Sequence, residues 1–243
     1  MRLARRIDGP RTLADQAALA IQDAILDGEF APGARLTIDE LARSIDISPM
    51  PVRDALRKLA QTGFVEYVPH RGATVALLSV EDLRDTWDAR LALESLAIRR
   101  AAERFEDEHR ISVEDAIVRH TDGLVRNDHA AAQEAHRDIH MGLYNPSGYN
   151  WLERLVLPIW IRSERYRNFA LGDRGGPDQL AAEHRRILRA CAEHDPSAAA
   201  GELYGHLVRT ANIVAEKLVG APIFASMPPP SLGEVSRPIS TPQ

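Results

Sequence analysis

Pro49 and Pro51 stand two residues apart inside an otherwise helical pattern, and they fix where that helix can begin. Deep in a helix a proline removes a hydrogen bond and clashes with the carbonyl four residues back. In the first turn its missing N–H has no intrahelical acceptor to lose. The spacing therefore predicts a helix with Ser48 as N-cap, prolines at its first and third positions, and an end near Gly63. Val52, Ala55, Leu56 and Leu59 form its inward stripe, and Arg53, Arg57 and Lys58 take the remaining surface. The helix is apolar behind and basic in front.

The flanking segments narrow the fold. Thr12 to Gly28 places Leu13, Ala17, Leu19, Ala20, Ile21, Ala24, Ile25 and Leu26 at largely helical spacing, with Gly28 as a stop. Phe30 to Leu36 reads as a turn broken at Pro32-Gly33. Thr37-Ile-Asp-Glu40 has the capping-box form and opens a short helix ending near Ile45. Ile45 to Ser48 is a tight turn in which Asp46 is able to adopt the left-handed conformation. After Gly63, Phe64 to Val68 alternates like a strand, Pro69-His-Arg-Gly72 turns, and Ala73 to Ala76 returns as a second strand. Three helices followed by a two-stranded ribbon make a winged helix-turn-helix. In that fold the third helix enters the major groove of DNA and the ribbon tip lies along the backbone or minor groove.

From Ser79 onward no strand pattern occurs. A long helix is predicted from Ser79 to about Arg104, with Leu83, Trp87, Leu91, Leu93, Leu96, Ala97 and Ala101 facing inward. Further helices are predicted near 111–127, 129–145, 148–171, 177–193 and 196–219, the last capped by Asp195-Pro196. This is an all-α bundle with room for a central ligand site. The fold class is mainly α, with a DNA-binding domain at 1–76, an effector-binding and dimerisation domain at 77–220, and a Pro-rich disordered tail at 221–243.

Charge follows the same division. Residues 1–76 carry ten Arg/Lys and ten Asp/Glu, leaving twenty and twenty-five in the remainder, so the net −5 lies wholly in the second part. A wholly basic nucleic-acid binder is excluded as a description of the molecule, while a small basic face is not. The single Cys191 excludes an intrachain disulfide and a cysteine zinc finger, and it fits a reducing cytoplasm. Met1 to Pro10 lacks the apolar core of a secretory signal, and no stretch approaches the roughly 18 apolar residues of a membrane helix.

Of nine histidines, four have suggestive placement. His136 and His140 share one helix face, and His184 and His206 lie on two later helices. A bundle assembles a metal site in this way. His109, His120, His129 and His194 read as ordinary surface or core residues.

The first module resembles the GntR family of bacterial transcription regulators. The resemblance rests on the Gly28 to Leu36 turn, Asp39-Glu-Leu-Ala42, Ser48-Pro-Met-Pro-Val-Arg-Asp-Ala-Leu56, the segment around Gly63, and Arg71-Gly72-Ala-Thr-Val75. It implies that Arg53 is the recognition-helix arginine, that Arg35 lies near the DNA backbone, and that His70, Arg71 and Gly72 form the wing tip. Thr37, Ser48, Pro49, Met50 and Arg57 complete the implied DNA-binding set. Pro49 replaces an arginine that reads a base in many relatives, and Met50 replaces a small hydroxyl residue, which makes base readout less arginine-rich.

The second module resembles the FCD-type ligand-binding domain of the FadR-like subclass. The resemblance runs over Arg90-Leu-Ala-Leu-Glu94, His136-Arg-Asp-Ile-His140, Glu183-His-Arg-Arg-Ile-Leu188 and Gly205-His-Leu207. It implies a divalent metal held by His136, His140, His184 and His206, with His136 in the position of the usual aspartate. Four neutral imidazoles favour Zn²⁺ or Ni²⁺ and attract an anion. Asp138 is an alternative carboxylate, although two residues from His136 it points to another face. Arg90 is a candidate effector contact, or the partner of Glu94 in a helix-surface pair.

Three functions compete on these grounds. The leading one is a homodimeric DNA-binding regulator whose affinity for a double-stranded operator answers to an organic acid in the bundle. The second is a histidine-ligated metalloenzyme with an attached DNA-binding domain. The third is a constitutive DNA binder with a structural metal. No nucleophile elbow, Gly-rich phosphate loop or HExxH motif is present to support the enzyme.

Overall fold

A computed structural model describes residues 12–68, 72–173 and 175–224. The N-terminal arginines Arg2, Arg5 and Arg6, the wing-tip residues His70 and Arg71, and the tail from residue 225 onward lie outside the described residues. The chain packs as two compact units. One combines residues 1–94, 149–175 and 213–221, and the other combines 95–148, 176–212 and 222–243.

In the first unit, α1 (Leu13–Leu26), α2 (Ile38–Ser44) and α3 (Pro49–Gln61) close around a core of Ile21, Leu41, Val52, Leu56, Leu59 and Phe64. Pro49 occupies the first turn of α3 with Ser48 as N-cap, as the proline argument requires. Asp46 takes the left-handed conformation at φ 57°. The capping box, however, forms at α1 and not at α2. The Thr12 hydroxyl accepts from the Asp15 amide at 3.2 Å, and the Asp15 carboxylate accepts from the Thr12 amide at 3.3 Å. Lys58 donates to the same carboxylate at 2.5 Å, so this lysine ties α3 to α1 and leaves the basic face to Arg53 and Arg57. These hydrogen bonds, that from Lys58 foremost and that from Thr12 next, hold the Asp15 carboxyl down at about 2. Thr37 is the N-cap of α2 through its carbonyl, which accepts from the Leu41 amide at 3.0 Å, but its side chain makes no capping bond.

The strand immediately before Thr37 sets the direction of entry into α2. This is β1 (Arg35–Leu36), which lies in the segment expected as a turn, and it converts the expected two-stranded ribbon into a three-stranded sheet. With β2 (Val65–Val68) and β3 (Gly72–Val75) the spatial order is β1-β3-β2, antiparallel throughout, in registers Leu36↔Ala73 and Val65↔Val75. Two residues are too few to show a period of two.

Three stretches of the helical part, within residues 80–94, 149–175 and 213–221, complete the first unit. In α4 (Val80–Ala102), Ser79 caps through its hydroxyl, and Leu83, Trp87 and Leu91 are buried as the stripe requires. Leu93 and Leu96 are only half-buried, because Arg90 and Glu94 take the inward positions. α7 (Asn150–Phe169) lies against the end of the winged helix. Arg162 donates to the Thr62 carbonyl at 3.0 Å and pairs with Asp82. Arg165 donates to the Gly63 carbonyl at 2.9 Å and to the Ala76 carbonyl, while its guanidinium lies 5.7 Å over the Phe64 ring. Asn168 donates to the Leu26 carbonyl at the end of α1. Four main-chain carbonyls that two arginines and an asparagine satisfy make a polar clamp on the three-helix domain.

The second unit contains α5 (Asp107–Val125), α6 (His129–Tyr144), α8 (Pro177–Ala192) and most of α9 (Pro196–Val219). Asp195 caps α9, accepting from the amides of Ser197 and Ala198. α5 and α6 approach closely at Gly123, where an added Cβ would stand 2.8 Å from the backbone nitrogen of Ala132. Buried Val113, Ile117, Ile139, Leu143, Ile187 and Leu203 are the apolar stripes of these helices. No helix among the described residues is long and apolar enough to cross a membrane.

Candidate metal centre and nucleic-acid interface

The apolar stripe of α6 carries two polar interruptions, His136 and His140, one turn apart and flanked by Ala132, Ala135, Ile139 and Leu143. On α8 the stripe is interrupted by His184, and on α9 by His206. All four are buried, none more than 3% exposed, and one ligand atom from each lies within 4.8 Å of all the others. The Nε2 atoms of His136 and His140 are 3.1 Å apart. Two nitrogens bound to one zinc ion at roughly 2.0–2.1 Å each stand about 3 Å apart, so the spacing fits a shared cation. The imidazole rings of His184 and His206 are 4.8 Å apart, and that of His184 is 5.3 Å from His136 and 5.4 Å from His140. The donor set is four borderline nitrogens, which suits Zn²⁺ or Ni²⁺.

Two further groups orient these ligands. His206 Nδ1 lies 3.0 Å from a Glu183 carboxylate oxygen, and the other oxygen of Glu183 accepts from Arg209 at 2.9 Å. Burial alone would raise the Glu183 carboxyl. The hydrogen bond from His206 and the pairing with Arg209 outweigh it and hold the group below its ordinary range. With the proton on Nδ1, His206 turns the lone pair of Nε2 toward the cluster. Tyr144 serves His140 in the same way, its hydroxyl 2.9 Å from Nδ1. Glu183 also places a carboxylate beside the four imidazoles.

Sequence spacing missed Glu183 because it adjoins His184, and adjacent helical residues diverge. The divergence is what points it at α9 instead. Tyr144, one turn beyond His140, carried a signal of the same kind as the His136/His140 pair. Asp138 is turned away, 3.1 Å from Arg119 and 40% exposed, so it is no ligand of this cluster. His120, grouped in the sequence reading with ordinary histidines, is 3% exposed, and its ring lies 5.3 Å from that of His136 and 5.7 Å from that of His184. The other three are ordinary: His109 Nδ1 accepts from the Glu106 amide, His194 Nδ1 faces the Ala102 carbonyl, and His129 is exposed. Arg90 is buried in the first unit, paired with Glu94 at 2.6 Å, donating to Ser163 at 3.0 Å and lying 5.1 Å over Trp87. The pair with Glu94 is a core feature and not a surface one.

The reading head presents a second arrangement. Along one face of α3, Met50, Arg53 and Arg57 are exposed, with Ser48 and Pro49 at its start. Arg57 pairs with Asp54 at 3.2 Å, and Arg53 makes no ion pair among the described residues. Arg35 and Thr37 are also exposed, and the Arg35 side chain passes 4.0 Å from the position a Cβ on Gly72 would take, so it stands beside the wing. This places a cationic, partly apolar helix face and an arginine beside the wing on one small domain.

Comparison with known proteins matches both the N-terminal module and the helical module. The family model described as "Bacterial regulatory proteins, gntR family" matches residues 13–75, and the one described as "FCD domain" matches residues 85–209. The chain is 25% identical over 213 residues to the uncharacterized HTH-type transcriptional regulator BphR of Paraburkholderia xenovorans, covering 84% of this chain and 86% of that one. It is 29% identical over 190 residues to an uncharacterized HTH-type transcriptional regulator from an unstable DNA locus of Streptomyces ambofaciens, covering 78% and 79%. The solved structure of Escherichia coli McbR/YncC matches with a TM-score of 0.73 at 20% identity, over 85% of this chain and 99% of that one, a likeness of fold.

Proposed function

The chain belongs to the gntR family of bacterial regulatory proteins with an FCD domain, which makes it a transcriptional regulator and not an enzyme, and from that premise we propose a metal-dependent effector switch. The histidine-ligated metalloenzyme is thereby set aside. In our proposal residues 1–76 read a double-stranded operator, 77–220 sense an organic acid and dimerise, and 221–243 form a tail. Arg53, Arg57, Met50, Pro49 and Ser48 face the major groove, while Arg35, Thr37 and the wing residues His70, Arg71 and Gly72 contact the backbone. The protein acts in the cytoplasm as a homodimer, since one small module with few base contacts binds weakly.

One observation carries the sensor assignment: four buried histidines from three helices converge within 4.8 Å, with Glu183 and Tyr144 orienting two of them. Imidazoles without such a purpose are a poor way to fill a core, because burying polar groups is costly. His136, His140, His184 and His206 would hold Zn²⁺ or Ni²⁺, and the ion would supply positive charge that attracts a carboxylate. A ligand changes DNA affinity only through differential binding to two conformations of the protein.

The test is metal content after single substitution of each histidine by alanine, with thermal stabilisation by a panel of small carboxylates read alongside. Loss of metal in the variants and stabilisation of the metal-loaded wild type are expected. Full occupancy in all four variants would refute the site. Metal without any response to carboxylates would favour the constitutive binder with a structural ion.

A further inference from the structure

We infer that Met50 reads the 5-methyl group of a thymine in the operator, so that the protein selects a T·A pair close to the base that Arg53 meets. This rests on the reading of α3 as the DNA-recognition helix and adds a specificity-determining residue to it.

The chemistry of the helix start is the first argument. Pro49, Met50, Pro51 and Val52 form an unbroken run between Ser48 and Arg53 in which no side chain carries a hydrogen-bond donor. The backbone does not make up for this. A helix start leaves its first N–H groups without intrahelical acceptors, and two of those positions are prolines with no N–H to offer. This end of α3 is therefore poorly equipped to hydrogen-bond a base edge. On the base edges of the major groove the apolar group is the thymine methyl, and an apolar helix tip finds its match there.

Placement is the second argument. Met50 is 60% exposed, whereas Val52, Leu56 and Leu59 of the same helix are at most 2% exposed. Arg53 stands three residues beyond Met50 and Arg57 seven, so the exposed thioether and the two guanidinium groups share one face. Recognition helices of helix-turn-helix proteins contact base edges with their N-terminal residues. Three residues of helix advance about 4.5 Å, against roughly 3.4 Å per base step, which puts the thymine within about two base pairs of the base under Arg53. Pro49 is exposed as well, but its ring is short and rigid, while the unbranched methionine has the rotatable bonds to reach into the groove.

The full-length wild type is used to select an operator from random duplexes, and each thymine of the half-site is replaced in turn by deoxyuridine, which lacks only the methyl. Affinities of the wild type, Met50→Ala and Met50→Leu are read by fluorescence anisotropy. At one position deoxyuridine should weaken the wild type about fourfold per half-site, the worth of one buried methyl group. Met50→Ala should bind the thymine and deoxyuridine duplexes alike, and Met50→Leu, which keeps the apolar reach, should keep most of the difference. A selected half-site in which no deoxyuridine weakens the wild type overturns the inference while operator binding stands. A penalty of the same size in Met50→Ala assigns the methyl to another residue and overturns it too. Failure of the wild type to enrich any duplex overturns this inference and the operator-reading assignment together.

Discussion

Glu183 shows at single-residue scale how a side chain outside the cluster of four histidines orients one of its members. Its carboxylate fixes the tautomer and rotation of His206, and its second oxygen is itself held by Arg209. Removing such a support costs on the order of 10–100-fold in metal affinity. Glu183→Ala should show that loss in a chelator-competition titration of Zn²⁺, and Glu183→Gln, which keeps an acceptor but not the charge, should fall between. Equal affinities for all three proteins would sink the orienting role. The inward placement of the four histidines was legible from helical spacing, and their grouping as a candidate metal site from the resemblance to the FCD type. The contact of Glu183 was not, since it depends on which neighbouring helix that residue meets, whereas Tyr144, one turn from His140 on α6, was open to the same spacing argument. Cys191 offers a second check on burial: its thiol is fully covered and pushed up to about 12 by burial. The thiolate is the reactive form, so the native protein should resist iodoacetamide at pH 8 while the denatured protein reacts. Rapid native labelling would contradict the packing of α8.

Among the elements, α7 does what no periodicity in its sequence announces: it clamps the loop that closes the recognition helix. Gly63 is the point of closest approach. It adopts φ +72°, and a Cβ there would fall 1.4 Å from the Arg162 guanidinium nitrogen that holds the Thr62 carbonyl. Gly63→Ala therefore forces a left-handed alanine and expels Arg162 in one step. Strain of this kind costs about 1–3 kcal/mol, expected as a lower denaturation midpoint in urea. Arg162→Ala, which frees the space, should make the Gly63→Ala penalty smaller in the double variant, and strict additivity would show that the two are uncoupled. Most helices were legible from caps and stripes, Pro49 and Asp195-Pro196 above all. β1 was not, being two residues long, and the capping box moved from Thr37 to Thr12. The motif states only that a bond is possible, and the strand before Thr37 already sets how α2 begins.

For the whole molecule, the net charge of −5 misleads unless it is divided, because the reading head is neutral and its cationic residues are few and placed. Each of them should then matter. In a dimer every substitution acts twice, and loss of an arginine at a base edge costs about 1–3 kcal/mol per copy. Arg53→Ala should weaken binding to an operator selected by the wild type from random duplexes, as measured by fluorescence anisotropy, with the dimer intact. Unchanged affinity would remove Arg53 from the interface. The switch itself carries a stricter requirement, since binding free energies are linked. If the carboxylate that most stabilises the metal-loaded protein changes operator affinity by some factor, the operator must change carboxylate affinity by the same factor. Typical couplings are 1–3 kcal/mol, or about 5–150-fold, well within measurement. Titrating the carboxylate into free protein and into the protein–operator complex closes the cycle. A constitutive DNA binder with a structural ion gives equal affinities in both arms, and a regulator of the kind proposed gives unequal ones whose ratio matches the shift in operator binding.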